Sequence, residues 1–411
     1  MAQGWTVTNW GKLATLEYGK SLRDYKDSKG QFPVYGTNGL IGWHDSYLSD
    51  IPSVIIGRKG AYRGVHYSSR PFFVIDTAFY LKPKIKLDTK WAYYELQTKD
   101  INSMDSGSAI PSTSRDEFYQ LPVRMPPYKE QRAIAEFLSG FDQKIELNRQ
   151  TARTLEELAQ RLFKSWFVDF DPVRAKMAGR QPAHMPSETA ALFPEKLVDS
   201  PLGRIPNGWG VKPVLEVCDL RGGAQPPAST FIAEPKLGYV RLLQIRDFSS
   251  DSHPTFVPEK KNLKMVTEDD ILIGRYGSAS GNKGKDSLGR MCRGLAGAYN
   301  VALMKLEPKL AGREFSYQIF NSNQFYWYLH GISSKAVQSG FSKKELAQYK
   351  VVIPTGDVMQ KFEMLAAVFW EKQKLLMREN QTLIELRNRL LPKLIGGKIR
   401  VSEAQEIAEE A

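Results

Sequence analysis

A chain of 411 residues is too long for one core, so two or three domains are expected. Lys and Arg number 57 against 45 Asp and Glu, and the net charge of +12 favours an anionic partner, most often nucleic acid, while fitting a merely basic soluble protein equally well. Two cysteines, Cys218 and Cys292, exclude a disulfide framework; no apolar run approaches the roughly 18 residues of a membrane span, and no leader-like segment opens the chain, so a cytoplasmic location is expected.

Residues 1–128 read as a first domain of mixed α/β type. Its apolar runs are short, as in Val54-Ile55-Ile56, Phe72-Phe73-Val74-Ile75 and Ala78-Phe79-Tyr80-Leu81, with turns such as Gly36-Thr37-Asn38-Gly39 between them. Trp91 to Gln97 predicts a short helix with aromatic residues on its buried face. After Met125-Pro126-Pro127-Tyr128, residues 129–170 predict one long amphipathic helix, unbroken from Glu130 to Phe167. Ile134, Leu138, Phe141, Ile145, Asn148, Leu155 and Leu162 form its heptad seam. At about 1.5 Å per residue such a helix is roughly 55 Å long and needs a partner along its length.

Residues 171–206 carry six prolines and predict an extended connector with a short helix near Glu188 to Leu192. Residues 207–355 then repeat the first domain. Gly208-Trp209 echoes Gly4-Trp5, and Ile271-Leu272-Ile273-Gly274-Arg275 echoes Val54-Ile55-Ile56-Gly57-Arg58. Residues 356–397 predict a second long helix with the seam Phe362, Phe369, Leu376, Asn380, Leu383 and Leu390. Leu155 to Leu162 aligns with Leu383 to Leu390, so the helices repeat as well. In an antiparallel pair with matched ends, opposed residue numbers sum to about 526; Asn148 and Asn380 sum to 528, so such a pair sets these two seam asparagines, residues able to fix register, opposite each other, whereas a parallel pairing puts Asn148 near Leu376. Residues 398–411 predict a frayed acidic tail.

Catalytic patterns fail on their chemistry. Met125-Pro126-Pro127-Tyr128 resembles the Asn/Asp-Pro-Pro-Tyr motif of amino methyltransferases, but a thioether is a poor acceptor for the target amino group, and the prolines serve better to stop a strand and start a helix. Gly284-Lys285 is followed by Asp286 and lacks the earlier glycine of a phosphate loop. The five histidines are scattered and give no metal-ligand spacing. The chain reads as a non-enzyme.

Binding signals are stronger. Arg58, Lys59, Tyr62 and Arg63 follow one apolar strand; Arg275, Tyr276, Lys283, Lys285, Arg290 and Arg293 follow its repeat, among four glycines. Glycine lets backbone approach phosphates, and Arg can grip guanine or phosphate with two N–H groups. Lys20, Arg23, Asn38, Arg221, Gln225 and Arg246 are further DNA-contact candidates near turns. One such loop alone is ordinarily just solvated; two, after repeated strands, point to DNA.

The tandem domains, the repeated helices and the run Trp166-Phe167-Val168-Asp169-Phe170-Asp171-Pro172 resemble the specificity subunit of type I restriction-modification enzymes. Pro126 to Ala135, Ile273-Gly274-Arg275-Tyr276-Gly277 and Leu390 to Ile395 are similar to that family too, whereas Thr355-Gly356-Asp357-Val358 lacks its Pro-Tyr-Lys-Glu run. The resemblance implies two target-recognition domains, each reading half of a split double-stranded DNA sequence, separated by two long helices packed as an antiparallel coiled coil. It implies two copies of an adenine methyltransferase as partners, with a motor-nuclease subunit as an optional third component. It places S-adenosylmethionine, ATP and Mg on those partners and no cofactor on this chain. The alternatives are a coiled-coil protein scaffold that reads no DNA, or a recognition module from a self-sufficient methylase-nuclease.

Overall fold

The computed structural model describes residues 4–26, 29–60, 62–104, 110–250, 253–333 and 340–410. It divides into two compact units, Met1–Asn148 with Glu379–Ala411, and Arg149–Arg378. Both are mixed α/β.

In the first unit Thr6–Asn9 pairs antiparallel with Pro122–Met125, which ties the start of the domain to the strand that leads into the long helix Tyr128–Phe167. Pro126 and Pro127 separate strand from helix, and the Pro127 carbonyl accepts the Glu130 and Gln131 amides as the first helical bonds. Asn9 Oδ1 caps the short helix Trp10–Leu13. A four-stranded sheet follows in the order Ala14–Tyr18, Ala78–Pro83, Ser53–Gly57, Val65–Ser68, all neighbours antiparallel. Ser53–Gly57 reads as a continuous apolar run because both its faces are covered. Val54 and Ile56 join the core of Trp10, Trp91 and Phe118, while Ile55 packs with Phe72 and Val74. The second sheet runs Gly39–His44, Phe32–Gly36, Phe73–Val74. The helix Thr89–Gln97 lies on Ser53–Gly57 and Val65–Ser68 and buries Trp91, Tyr94 and Leu96.

The second unit repeats this plan. Gly210–Pro213 pairs with Lys350–Ile353 ahead of the long helix Gly356–Ile395. Its four-stranded sheet runs Cys218–Gly222, Leu303–Pro308, Ile271–Gly274, Met291–Cys292, the same order as in the first unit. A further sheet of Phe256–Pro258, Tyr239–Leu243, Gly297–Tyr299 and Met265–Val266 is larger than its counterpart. Helices Arg313–Asn321 and Asn323–Ser333 stand where the first unit has one.

Two expectations are corrected. Residues 171–206 are not extended: the expected short helix is present at Ser187–Ala191, but Asp171–Met177 is a helix too, and Leu197–Ser200 forms a hairpin with Gly203–Pro206. Phe170, in the left-handed region at φ 57°, redirects the chain after the long helix, and Val173, Phe193, Leu197 and Ile205 bury against Trp166, Phe167 and Trp209. The prolines end elements here, and the apolar residues between them supply a core. The tail is not frayed either. Val401–Glu409 is a helix whose Ala404 is fully buried, with Val401 and Ile407 packed on the first unit's core and Arg400 paired with Glu130.

The long helices pack together within each unit. In the first, Ile134, Leu138, Phe141 and Ile145 are buried, as is Leu390, with Leu383 half-buried. Asn148 Nδ2 donates to Asn380 Oδ1 (3.0 Å) and Glu379 Oε2 (2.9 Å), and Arg387 pairs with Asp142 at 2.6 Å. In the second, Phe362 and Leu376 are buried, but Leu155, Leu162 and Phe369 are only half-buried. Phe163, Phe167 and Trp370 take the deep positions instead. Phe163 and Phe167 stack edge-on against Phe315 and Phe362 at centroid separations of 4.8–5.9 Å, pairs worth about 0.5–1.5 kcal/mol each beyond burial. The helices here face the domain as well as each other, so the buried stripe is wider than a heptad seam. Among the described residues no helix is long and apolar enough to cross a membrane.

Candidate nucleic-acid interface

In the first unit the central strand ends at Gly57, where a Cβ would meet the Thr37 carbonyl at 2.8 Å and Arg63 Cα at 2.9 Å. The chain can therefore turn tightly into Arg58. The Arg58 amide donates to the Thr77 carbonyl (2.9 Å), its Nη1 to the Asp76 carbonyl (3.0 Å), and its guanidinium lies 4.8 Å from the Tyr18 ring centroid. The Thr37 hydroxyl donates to the carbonyls of Lys59 and Thr77, both at 2.8 Å. That bond brings the hairpin tip carrying Asn38 to Lys59. Lys20 is held at the same corner by its amide on the Val74 carbonyl, 2.9 Å. Lys20, Asn38 and Lys59 are exposed, and Tyr62 is 72% exposed. Arg23 is exposed but has no hydrogen bond to this corner among the described residues.

Arg63 is a correction. It is buried, and its Nη2 donates to the carbonyls of Asn102 (2.7 Å) and Met104 (2.8 Å). It ties a loop to the domain and is withdrawn as a DNA contact.

In the second unit the Arg275 amide donates to the Ala302 carbonyl (2.8 Å) and its Nε to the Phe341 carbonyl (3.3 Å); the guanidinium lies 4.8 Å from the half-buried Tyr276 ring. The glycine-rich loop beyond is organised by Asp286. Its carboxylate accepts from the Ser280 amide (2.7 Å) and hydroxyl (2.6 Å), the Gly281 amide (3.1 Å) and the Tyr326 hydroxyl (2.7 Å). Burial alone would raise this carboxyl's pKa, but those bonds outweigh burial and hold it down to about 2. Arg290 braces the loop through the carbonyls of Asp286 and Lys285 and the Ser249 hydroxyl. Lys283 reaches the Asn321 carbonyl and Asn323 Oδ1, and burial lowers its pKa. Lys285 and Gln225 are exposed. Arg246 donates to the Thr255 hydroxyl, and Arg221 pairs with Glu307 at 2.5 Å.

Arg293 is the second correction. It is 9% exposed, pairs with Glu314 (2.6 Å) and Glu156 (3.3 Å), and lies 4.0 Å from the ring centroids of both Tyr317 and Trp370. It cements the domain to the long helices of its own unit and is also withdrawn. Sequence reasoning missed Arg115, which also lies over Tyr18 at 4.6 Å. The available signal was its place beside Ser114, the partner of Ser342 in the repeat.

Residues 2–157 match the type I restriction modification DNA specificity domain. The relatives it resembles are type I restriction enzyme specificity subunits. It is 23% identical over 343 residues to the type I restriction enzyme HindI specificity subunit of Haemophilus influenzae, covering 71% of this chain and 72% of the relative. It is 25% identical over 332 residues to the MjaIX specificity subunit of Methanocaldococcus jannaschii, covering 78% and 71%. In fold it is similar to the crystal structure of a type I restriction-modification system S subunit from M. genitalium, with a TM-score of 0.53, 18% identity, and coverage of 95% and 96%.

Proposed function

We infer that this chain is the DNA sequence-specificity subunit of a type I restriction-modification complex and is itself non-catalytic. The observation that carries this reading is the duplication of one scaffold whose same strand, Ser53–Gly57 and Ile271–Gly274, runs in each case into an Arg with an exposed basic surface behind it. The loops differ in length and residues, so the two units read different half-sites of an asymmetric bipartite target. Arg58, Lys59, Lys20, Asn38 and Tyr62 serve one half; Arg275, Tyr276, Lys283, Lys285 and Arg290 serve the other. Arg23, Arg221, Gln225 and Arg246 are auxiliary contacts. The long helices pair as an antiparallel coiled coil. That reading is supported by contacts whose residue numbers run in opposite directions, Asp142 with Arg387 and Asn148 with Asn380 in the first unit, Phe163 with Phe362 in the second. The partners are two methyltransferase subunits, which bring S-adenosylmethionine and flip the target adenine; a motor-nuclease restriction subunit is an optional third component that brings ATP and Mg.

The test is a methylation map. The chain is co-expressed with its neighbouring methyltransferase in a host lacking adenine methylation, and modified adenines are read by sequencing. One split motif that vanishes when this chain is omitted is the expected result. A folded complex that methylates with no motif, or the same motif without this chain, overturns the reading.

A further inference from the structure

We propose that Tyr18, Arg58 and Arg115 form a phosphate-binding cluster in the first unit that grips the DNA backbone; the proposal rests on the DNA-reading assignment above. Tyr18 is 45% exposed, and two guanidiniums from distant parts of the chain lie over its one ring, Arg58 at 4.8 Å and Arg115 at 4.6 Å. Phe79 supports that ring edge-on at 5.0 Å. The convergence is built by the backbone. The Thr113 amide donates to the Arg58 carbonyl (2.8 Å), the Thr113 hydroxyl to the Gly57 carbonyl (2.8 Å), and the Gly60 amide to the Pro111 carbonyl (2.9 Å). Ser114 then caps the helix Arg115–Gln120, which fixes Arg115 beside the strand end.

Among the described residues neither guanidinium pairs with a carboxylate, and the exposed Lys59 adds to the same charge. Two like charges held on one ring repel, and cation–π attraction at an exposed ring offsets this only modestly. An anion between the two supplies the missing counter-charge. A guanidinium offers donors alone in a fork matched to phosphate oxygens. Arg58 is further fixed through one N–H on the Asp76 carbonyl and one face on Tyr18, which leaves its remaining donors at a set place. Such fixed donors position a backbone and read no sequence. The second unit does not repeat the device. Gly222 stands where the first has Tyr18, and Lys343, in the place of Arg115, is bound to Asp219 at 2.6 Å.

The experiment measures DNA affinity against salt for the full chain complexed with its methyltransferase, on a duplex carrying the mapped target. Arg115→Ala and Arg58→Ala are each expected to make the slope of log K against log salt shallower by about 0.9, the loss of one phosphate contact. Between 50 and 200 mM salt, the fall in affinity then shrinks roughly 3.5-fold for each variant. Arg115→Lys keeps most of the slope, Lys343→Ala leaves it unchanged, and the methylated motif stays the same in all of them. An unchanged slope in Arg115→Ala, with folding verified by circular dichroism, overturns the cluster while leaving the DNA-reading assignment standing. A methylation map altered at one half-site makes the cluster a base reader and also overturns it. A wild-type complex without salt-dependent DNA binding removes the underlying assignment itself.

Discussion

In the second unit a cation on the sheet edge, Arg293, lies over the rings of Tyr317 and Trp370 and is neutralised by Glu314 and Glu156. In the first unit the charge sits on the other element. Aligning Gly57 with Gly274 and following the strand registers sets Tyr67 in the place of Arg293, and the cation comes from the helix, where Lys90 lies 4.5 Å from Tyr67 and 4.6 Å from Tyr93. No carboxylate is bonded to Lys90 among the described residues; burial lowers its pKa, against the weaker pull of the Asp142 and Asp88 charges. The same contrast recurs at the basic corner. Lys343 and Arg221 of the second unit are tied to Asp219 and Glu307, whereas Arg58 and Arg115 of the first lie on Tyr18. One scaffold thus holds its cations in two ways. Carboxylates consume the charge and lock the structure; aromatic rings hold the side chain and leave its charge for an outside anion.

The largest effect that contrast predicts is at Arg293. Arg293→Met leaves the buried Glu314 carboxylate with the Arg313 Nε hydrogen bond (3.1 Å) as its remaining cation among the described residues, and a broken buried pair costs about 3–5 kcal/mol. The expected loss is about 3 kcal/mol, at the low end because Arg313 remains. The matching change in the first unit, Lys90→Met, removes cation–π contacts from a half-buried side chain that only attracts Asp142 and Asp88 without bonding them, and costs about 1 kcal/mol. Denaturant unfolding followed by tryptophan fluorescence compares the two. Equal losses would show that the two arrangements are energetically alike and would break the contrast.

Much of this architecture is legible in the sequence because it rests on local patterns. The runs Val54-Ile55-Ile56-Gly57-Arg58 and Ile271-Leu272-Ile273-Gly274-Arg275 mark one strand twice, and seam spacing marks both long helices. What is not legible depends on distant partners. Arg63 and Arg293 sit in basic, glycine-containing stretches that read as surface, yet their partners are carbonyls some 40 residues on and carboxylates on two other helices. Arg115 looks isolated until Thr113 docks its helix onto Arg58. Proline content suggested an extended segment at 171–206, but the aromatic partners Trp166, Phe193 and Trp209 outweigh it. Four glutamates hid the apolar face of Val401, Ala404 and Ile407.

A smaller effect sharpens the comparison at the loop behind Arg275. Here a carboxylate organises the basic loop, whereas among the described residues no carboxylate is bonded to the cations of the Tyr18 corner of the first unit. Asp286→Ala removes four hydrogen bonds to a charged acceptor and is expected to loosen residues 278–288 by about 1–3 kcal/mol. Because the folded-state pKa is depressed to about 2, against roughly 3.9 for a free Asp, the carboxylate's contribution is complete above about pH 4 and is lost as pH falls toward 2. Hydrogen exchange of the loop amides should rise in Asp286→Ala at neutral pH, and in the wild type only below about pH 4. Protection that does not respond to the substitution would remove Asp286 as the organiser.

The smallest effect concerns how each unit starts its domain helix. In the first, Asp88 Oδ1 caps the Trp91 amide at 2.8 Å, a local device. In the second the equivalent residue is Gly312, and the cap comes from the long helix, where Glu363 accepts the amides of Glu314 (3.1 Å) and Phe315 (2.7 Å). A Cβ at Gly312 would sit 2.0 Å from Glu363 Cδ, so the glycine makes room for a borrowed carboxylate. Asp88→Ala and Glu363→Ala should each cost about 1 kcal/mol. Only the second pair should be coupled: Gly312→Ala is expected to destabilise the wild type but to be nearly neutral, or stabilising, once Glu363 is Ala, because the collision is gone and alanine restricts the unfolded chain. Additive losses in that double-mutant cycle would mean that Glu363 does not occupy the cap, and the two helix starts would then differ only in having a local cap or none.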